Sequence, residues 1–426
     1  DLVRARIAAV IEPLIGKKGL RLAEIERRLL IAGDTPGVAL RSTLAPGSSP
    51  GGTVLVVEAK HKPLSVYTGI DNTLSSSLGR SNLSASLDAN SLLGLGEVFY
   101  LRAAGHPSGG DQRDLGGLFD DHPRVRMLAG GTVFPIGIDG MTLNFEATQS
   151  RTTPKAPPFA QTTSVYDRLS ARLRYPWIRS RSLNVGTEAI FDAESEDLDL
   201  LIPGGSFPLS RDRLRVLRLA GDTSWQTNWN AVVGGRMTAS FGLDAFGARS
   251  AADATPLVPL SRLGADADFQ KLEAVVSYAQ PVAENLAFAL YARGQTSFNQ
   301  ALPRSEQIGI ASLFELSTFD AGTLGGDSGW IVRGEVQSPW NVTAGGFPLS
   351  AAPYAFAATG RLYLERPTIL EEGNVQVSSL GLGLRFVATI DPGFSYASLE
   401  LEFGRRFRDD GAPDGNRFTV VGSIRF

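Results

Sequence analysis

The chain carries three histidines, His61, His106 and His122, and no cysteine. The histidines share no metal-ligand spacing with one another or with a carboxylate pair, and thiolate sites and disulfides are impossible. Each is expected in a loop or at an interface. Adjacent carboxylates occur at Asp120-Asp121 and Asp409-Asp410, with a longer acidic run, DAESEDLDL, at 192–200. All three read as loops, where a solvated surface is the expectation and cation binding by the run the alternative. No G-x-S-x-G elbow, phosphate-binding loop or dinucleotide fingerprint occurs, and LGLGE at 93–97 reads as a turn between strands. Neither an enzyme nor a cofactor is therefore expected. Charge is nearly balanced, 41 Lys and Arg against 44 Asp and Glu, which also argues against a nucleic-acid partner.

The informative signal is a period of two that begins near residue 63 and persists to the end. NLSASLDA (82–89) sets Leu83, Ala85 and Leu87 against Ser84, Ser86 and Asp88. MTLNFEAT (141–148), LGLGLRF (380–386) and ASLELEF (397–403) repeat the alternation. The chain ends in RFTVVGSIRF (417–426), with Phe418, Val420, Gly422, Ile424 and Phe426 on one face. Such strands separate two environments. Roughly sixteen segments are counted, beginning near 64, 79, 96, 124, 141, 163, 181, 212, 227, 268, 284, 328, 352, 377, 396 and 416. A soluble sandwich or propeller also alternates. Charged residues at strand centres, and long Gly/Pro/Ser/Asp-rich segments (105–122, 194–211, 246–265) alternating with short turns, favour a closed transmembrane β-barrel of about sixteen antiparallel strands. No apolar run approaches the length of a membrane-spanning helix.

Residues 1–62 follow a different rule. Val3, Ile7, Val10, Ile11, Leu14 and Ile15 have the spacing of an amphipathic helix, and Leu22, Ile25, Leu29 and Leu30 begin a second, which Gly33 and Pro36 end. Strands around VALRSTLAP and TVLVVEA follow, separated by GSSPGG. Two helices and two strands are too little to close a core, so a preceding strand is expected, as is a leader that DLVRARIAAVIEPL does not supply.

From LRSTLAPGSSPGGTVLVVEAK (40–60) through YTGIDNTLSSSLGRSNLSASLDANSLLGLGEVFYLRAAG (67–105), the chain resembles a TpsB transporter of two-partner secretion. FPIGIDGMTL (134–143), YPWIRSRSLNV (175–185), DRLRVLRLAGD (212–222), LPRSEQ (302–307), GGDSGWIVRGEVQSP (325–339) and PYAFAATGRLY (353–363) continue the resemblance in order. It implies the C-terminal part of a POTRA domain over 1–62 in the periplasm and a sixteen-stranded barrel over 63–426 in a Gram-negative outer membrane, with an inward-folding loop near 308–327. The implied activity is export of one unfolded exoprotein through the lumen. An assembly or insertion factor of the same superfamily, or a docking barrel for a surface partner, are the alternatives. The implied partners are a TpsA-like exoprotein, outer-membrane lipid and lipopolysaccharide, and the barrel-assembly machinery, which would read Phe426. A strand-accepting groove in the POTRA unit would involve Leu22, Ile25 and Leu29, although a stripe at helical spacing is more often buried core.

Two features of that family are missing. Its loop tetrad of the VRGY type falls on Leu316, Ser317, Thr318 and Phe319, so the arginine position is Ser317. Its FxDxG motif falls on Phe356, Ala358 and Gly360, so the aspartate position is Ala358. Losing both partners of an ion pair is far less costly than losing one. The literal VRGE at 332–335 aligns with the strand after the loop. Apolar contacts of Leu313, Phe314, Leu316 and Phe319 are expected to hold the loop instead, a mobile or extracellular loop being the alternative.

Overall fold

The computed structural model of the chain describes residues 3–48, 52–110, 115–344 and 347–426. The centre of the GSSPGG turn and part of the 105–122 segment lie outside the described residues. Two helices, α1 (Arg4–Ile11) and α2 (Leu22–Gly33), precede a hairpin of Val38–Pro46 against Thr53–His61. Val3, Ile7 and Val10 of the first helical segment pack with Ile31 and Ala32 of α2, and Val38, Leu40 and Val57 cover that cluster. The core of this unit is thus formed by the end of α2. Leu22 is 74% exposed and Ile25 and Leu29 are half-buried, so the sequence stripe is not the buried one.

Sixteen antiparallel strands then close into a barrel. The first eight are β1 (Leu64–Asp71), β2 (Asn82–Asn90), β3 (Val98–Gly105), β4 (Val125–Ile136), β5 (Met141–Thr152), β6 (Thr162–Arg179), β7 (Leu183–Ile202) and β8 (Gly205–Gln226). The second eight are β9 (Val232–Gly242), β10 (Gln270–Ala283), β11 (Leu286–Thr296), β12 (Ser328–Gln337), β13 (Phe347–Tyr363), β14 (Asn374–Asp391), β15 (Ser395–Arg408) and β16 (Gly415–Arg425). Trp340–Ala344 prolongs β12 along β13 beyond the break at Pro339, which has no N–H to donate. Closure pairs β16 with β1, Val421 opposite Asp71 and Arg425 opposite Tyr67, and Phe426 and Val66 exchange backbone bonds of 2.8 and 3.0 Å. Among the described residues no edge of the barrel is left unpaired, as a lipid environment requires.

Alternation sorts the wall into two faces. Leu101, Leu169, Leu219, Leu382 and Phe403 are exposed on the outside, whereas Glu146, Asp192, Arg218, Arg333 and Glu402 face the lumen. Short turns lie at one end, and α2 sits against them. Arg27 donates to the Pro176 carbonyl at 2.9 Å, Arg28 to the Ile138 carbonyl at 3.0 Å, and Arg179 pairs with Asp34 at 2.6 Å.

One expected loop is a correction. Residues 194–211 are not a loop but the upper half of a hairpin in which β7 and β8 pair from Leu183/Trp225 to Ile202/Gly205. The acidic run 192–200 is therefore strand, with Asp192 and Glu194 turned inward to Arg218 and Asp197 turned outward to Arg211. Near its tip the hairpin has no lipid to face, so both faces can be polar and the period-two signal vanishes.

Candidate functional site: a loop across the lumen

The connection between β11 and β12, residues 297–327, folds into the barrel. A short ladder, Ile308–Gly309 against Gly325–Gly326, closes its root. On both sides of that ladder the loop is fixed at separate points of the wall. Glu306, 1% exposed, accepts from both terminal nitrogens of Arg218 on β8 at 2.9 and 2.6 Å and pairs with Lys271 on β10 at 2.8 Å. Arg218 is held in turn by Asp192 at 2.7 Å and Glu194 at 2.9 Å. Farther along, Glu315 accepts from Arg293 on β11 at 3.0 Å. Asp320 then pairs with Arg417 on β16, and the Ala321 N–H donates to the Thr73 carbonyl at 3.0 Å. In a ring of sixteen, β8 and β16 stand opposite each other, so the loop bridges the lumen from wall to wall.

Ser317, at the family's arginine position, is buried at the centre of this bridge. Its hydroxyl accepts from Arg333 Nη1 at 2.9 Å and donates to Glu402. Arg333 is the arginine of the literal VRGE, and it sits on β12, as part of the wall. It also pairs with Glu402 on β15 at 2.6 Å and Glu335 at 2.9 Å, and receives no charge from the loop. To reach Glu402 it crosses two strands over the Phe356 ring, 4.0 Å from the ring centroid. Glycine makes that crossing possible. A Cβ at Gly381 would stand 2.6 Å from Phe356 Cε1, and one at Gly404 would stand 2.6 Å from Thr318 Cγ2. The aromatic ring lies flat because its neighbours on β14 and β15 have no side chain. Tyr354 completes the cluster, its single hydroxyl proton shared between Glu400 at 2.7 Å and Glu402 at 3.0 Å.

Apolar packing supplies the rest. Leu316 and Phe319 are buried with Ile308, Ile310 and Leu324 of the loop against Ile331, Ala358, Leu362 and Val377 of the wall. Ala358, at the family's aspartate position, is thus an apolar contact, and Gly360 admits Ile310, whose Cδ1 would be 3.0 Å from an added Cβ. Phe314 corrects the expectation: it is 65% exposed and Leu313 only half-buried, so the tip is not packed through them. The loop is held by ion pairs, hydroxyls and apolar side chains together. An apolar anchor alone is too simple, because three loop carboxylates, Glu306, Glu315 and Asp320, keep wall arginines as partners.

Elsewhere, Phe426 is half-exposed on the outer face beside Val66. His61 contacts the Asn90 carbonyl at 3.0 Å, and His106 the Ser81 carbonyl at 2.8 Å. The sequence did carry a trace of the residues it did not single out. Glu400 and Glu402 occupy the lumen phase of ASLELEF, and Arg333 and Glu335 the same phase of β12. Their meeting depends on three inter-strand registers, which no single segment encodes.

No curated protein matches the chain. Among solved structures it is similar to CdiB from Escherichia coli, at a TM-score of 0.77 and 18% identity over 100% of this chain and 74% of that one. CdiB from Acinetobacter baumannii follows at 0.65 and 15% identity over 96% of this chain and 68% of that one. BamA from Haemophilus ducreyi lacking POTRA domains 1–3 gives 0.57 and 11% identity over 99% of this chain and 82% of that one. These likenesses agree with the closed sixteen-stranded fold. The family model for haemolysin secretion/activation protein ShlB/FhaC/HecB matches residues 51–386, and the chain belongs to that family of two-partner secretion transporters of the outer membrane.

Proposed function

We propose that the barrel is a translocation pore passing one cognate secreted protein, extended and unfolded, from the periplasm to the cell exterior. The observation that carries this reading is a lumen lined by charged side chains and obstructed by a loop on breakable polar tethers. Such an obstruction can swing aside without unfolding the wall. No catalytic residue is required; folding of the exported chain outside would make passage irreversible. Residues 1–62 are read as belonging to a periplasmic POTRA domain, consistent with their seat against the short turns. An incoming segment would add to the hairpin edge near Leu22, Ile25 and Leu29 by strand pairing. Ser317, with Arg333 and Glu402, is read as taking the place of the family's loop arginine and wall aspartate. Phe426 would be read by the barrel-assembly machinery during insertion.

Deleting the gene tests the proposal. Accumulation of one large secreted protein in the periplasm is the expected result, and undisturbed secretion refutes it. A general loss of outer-membrane proteins would identify an assembly factor instead, and a pore that never conducts in a planar bilayer a docking barrel.

A further inference from the structure

We infer that the outer wall of β1–β8 carries a binding groove for a phosphorylated glycolipid of the outer leaflet, with its phosphate at Arg213 and Arg215. The inference rests on the barrel lying in an outer membrane, not on what passes through it. A concavity of about 860 Å³ runs along the outside of the wall from β8 to β1. One register row runs along it through Leu101, Gly130, Ala147, Leu169 and Ala193, in which Gly130, Ala147 and Ala193 form the low floor and exposed Leu101 and Leu169 rise beside them. Because the strands tilt, a path that follows the register changes depth. Arg215 stands opposite Ala193, and Leu169 opposite Ala193, eleven, ten and ten residues from the periplasmic ends of β8, β7 and β6. Val66, at the other end, is two residues from the start of β1. The groove therefore descends from the outer rim into the bilayer, as an acyl chain would.

The head of the groove is basic and uncompensated. Arg215 lies ten residues from Trp225, which at about 3.3 Å per residue and about 40° of tilt is about 25 Å, the height of the apolar band. It is thus level with the outer headgroups. It donates to the Phe246 carbonyl at 3.1 Å and its neighbour's carbonyl at 2.6 Å, and meets no carboxylate among the described residues. Arg213 is exposed with no side-chain partner among them. Of the nearby outward acids, Asp197 is held by Arg211 at 2.6 Å, and Asp167, which lines the groove two strands away, accepts from Gln149 at 2.9 Å. Two guanidinium groups without a carboxylate partner above an apolar trough are complementary to a phosphate carried on several acyl chains, and guanidinium suits phosphate through paired donors. Lipid A, the anchor of lipopolysaccharide, has that chemistry in the outer leaflet.

The test uses the whole chain in detergent micelles, titrated with lipid A, dephosphorylated lipid A and phosphatidylglycerol, with bound lipid counted by native mass spectrometry. Lipid A should bind at least tenfold tighter than the other two. Arg213→Glu/Arg215→Glu should abolish that preference, and Ala147→Trp, which fills the trough without touching the arginines, should weaken binding about tenfold. A photo-crosslinker at Leu169 in intact membranes should capture lipopolysaccharide. Equal binding by the double variant, equal binding of dephosphorylated lipid A or phosphatidylglycerol, or crosslinking to phospholipid alone would overturn the inference.

Discussion

Glu306→Gln asks whether the bridging loop is the closed gate of the pore. The wild-type carboxylate is buried, accepts twice from Arg218 and pairs with Lys271. Removing one member of a buried ion pair costs about 3–5 kcal/mol when its partner is stranded. Here Arg218 keeps Asp192 and Glu194, and Lys271 keeps a 2.8 Å bond to the Glu306 backbone carbonyl, so about 3 kcal/mol is the appropriate figure. The penalty falls on the loop-in state alone. At 1.4 kcal/mol per factor of ten, the ratio of released to docked loop should rise about a hundredfold. Single-channel recording in planar bilayers reads this as more frequent large-conductance openings, and a cysteine placed at Phe314 should react faster with a thiol reagent added to the exterior. Asp139→Asn, which breaks a pair with Arg28 at the short turns of the barrel, is the control. Unchanged openings in Glu306→Gln, or equal openings in both variants, would refute the reasoning.

Other outcomes follow from the same geometry. Glu402→Ala strands Arg333, which is 2% exposed, and should lower stability by about 3 kcal/mol, whereas Arg333→Met/Glu402→Leu should cost less than about 1 kcal/mol; heat-modifiable mobility on gels measures both. Ser317→Ala removes one hydroxyl between charges and should open the loop about tenfold more often, at about 1.5 kcal/mol, without changing wall stability. Gly404→Val puts carbon where Thr318 lies and should displace the loop tip at about 1–3 kcal/mol, read by faster proteolysis of residues 310–324. Leu382→Arg, on the lipid face, should slow folding into vesicles and cost about 2–4 kcal/mol if near midplane.

The strands were legible in the sequence where lipid lies on one side and water on the other. Met141 and Ser328 start their strands where the alternation places them, because each outward residue there must be apolar. The signal failed at Gly205, expected near 212, since above the bilayer β8 has no apolar face to show. Of the bridging loop, the sequence singled out Leu316–Phe319 by the tetrad expected there, with Ser317 and Ala358 in place of an arginine and an aspartate, and those four residues lie in the segment that crosses the lumen. The replacement was not visible. Arg333 and Glu402 stand 69 positions apart and meet only because Gly381 and Gly404 let a ring lie flat between them.

The paired length of β7 and β8 has a consequence outside the membrane. From Leu183 to Ile202 the ribbon rises nineteen residues, about 48 Å at the same pitch and tilt, so its crest stands about 20 Å clear of the lipid. Pro203 and Gly204 at that crest touch nothing that an added side chain would disturb at Gly204. Antibodies and phage tail fibres arriving from the medium would meet this crest well above the lipid, and a tag spliced there would be displayed while the cylinder below stays shut.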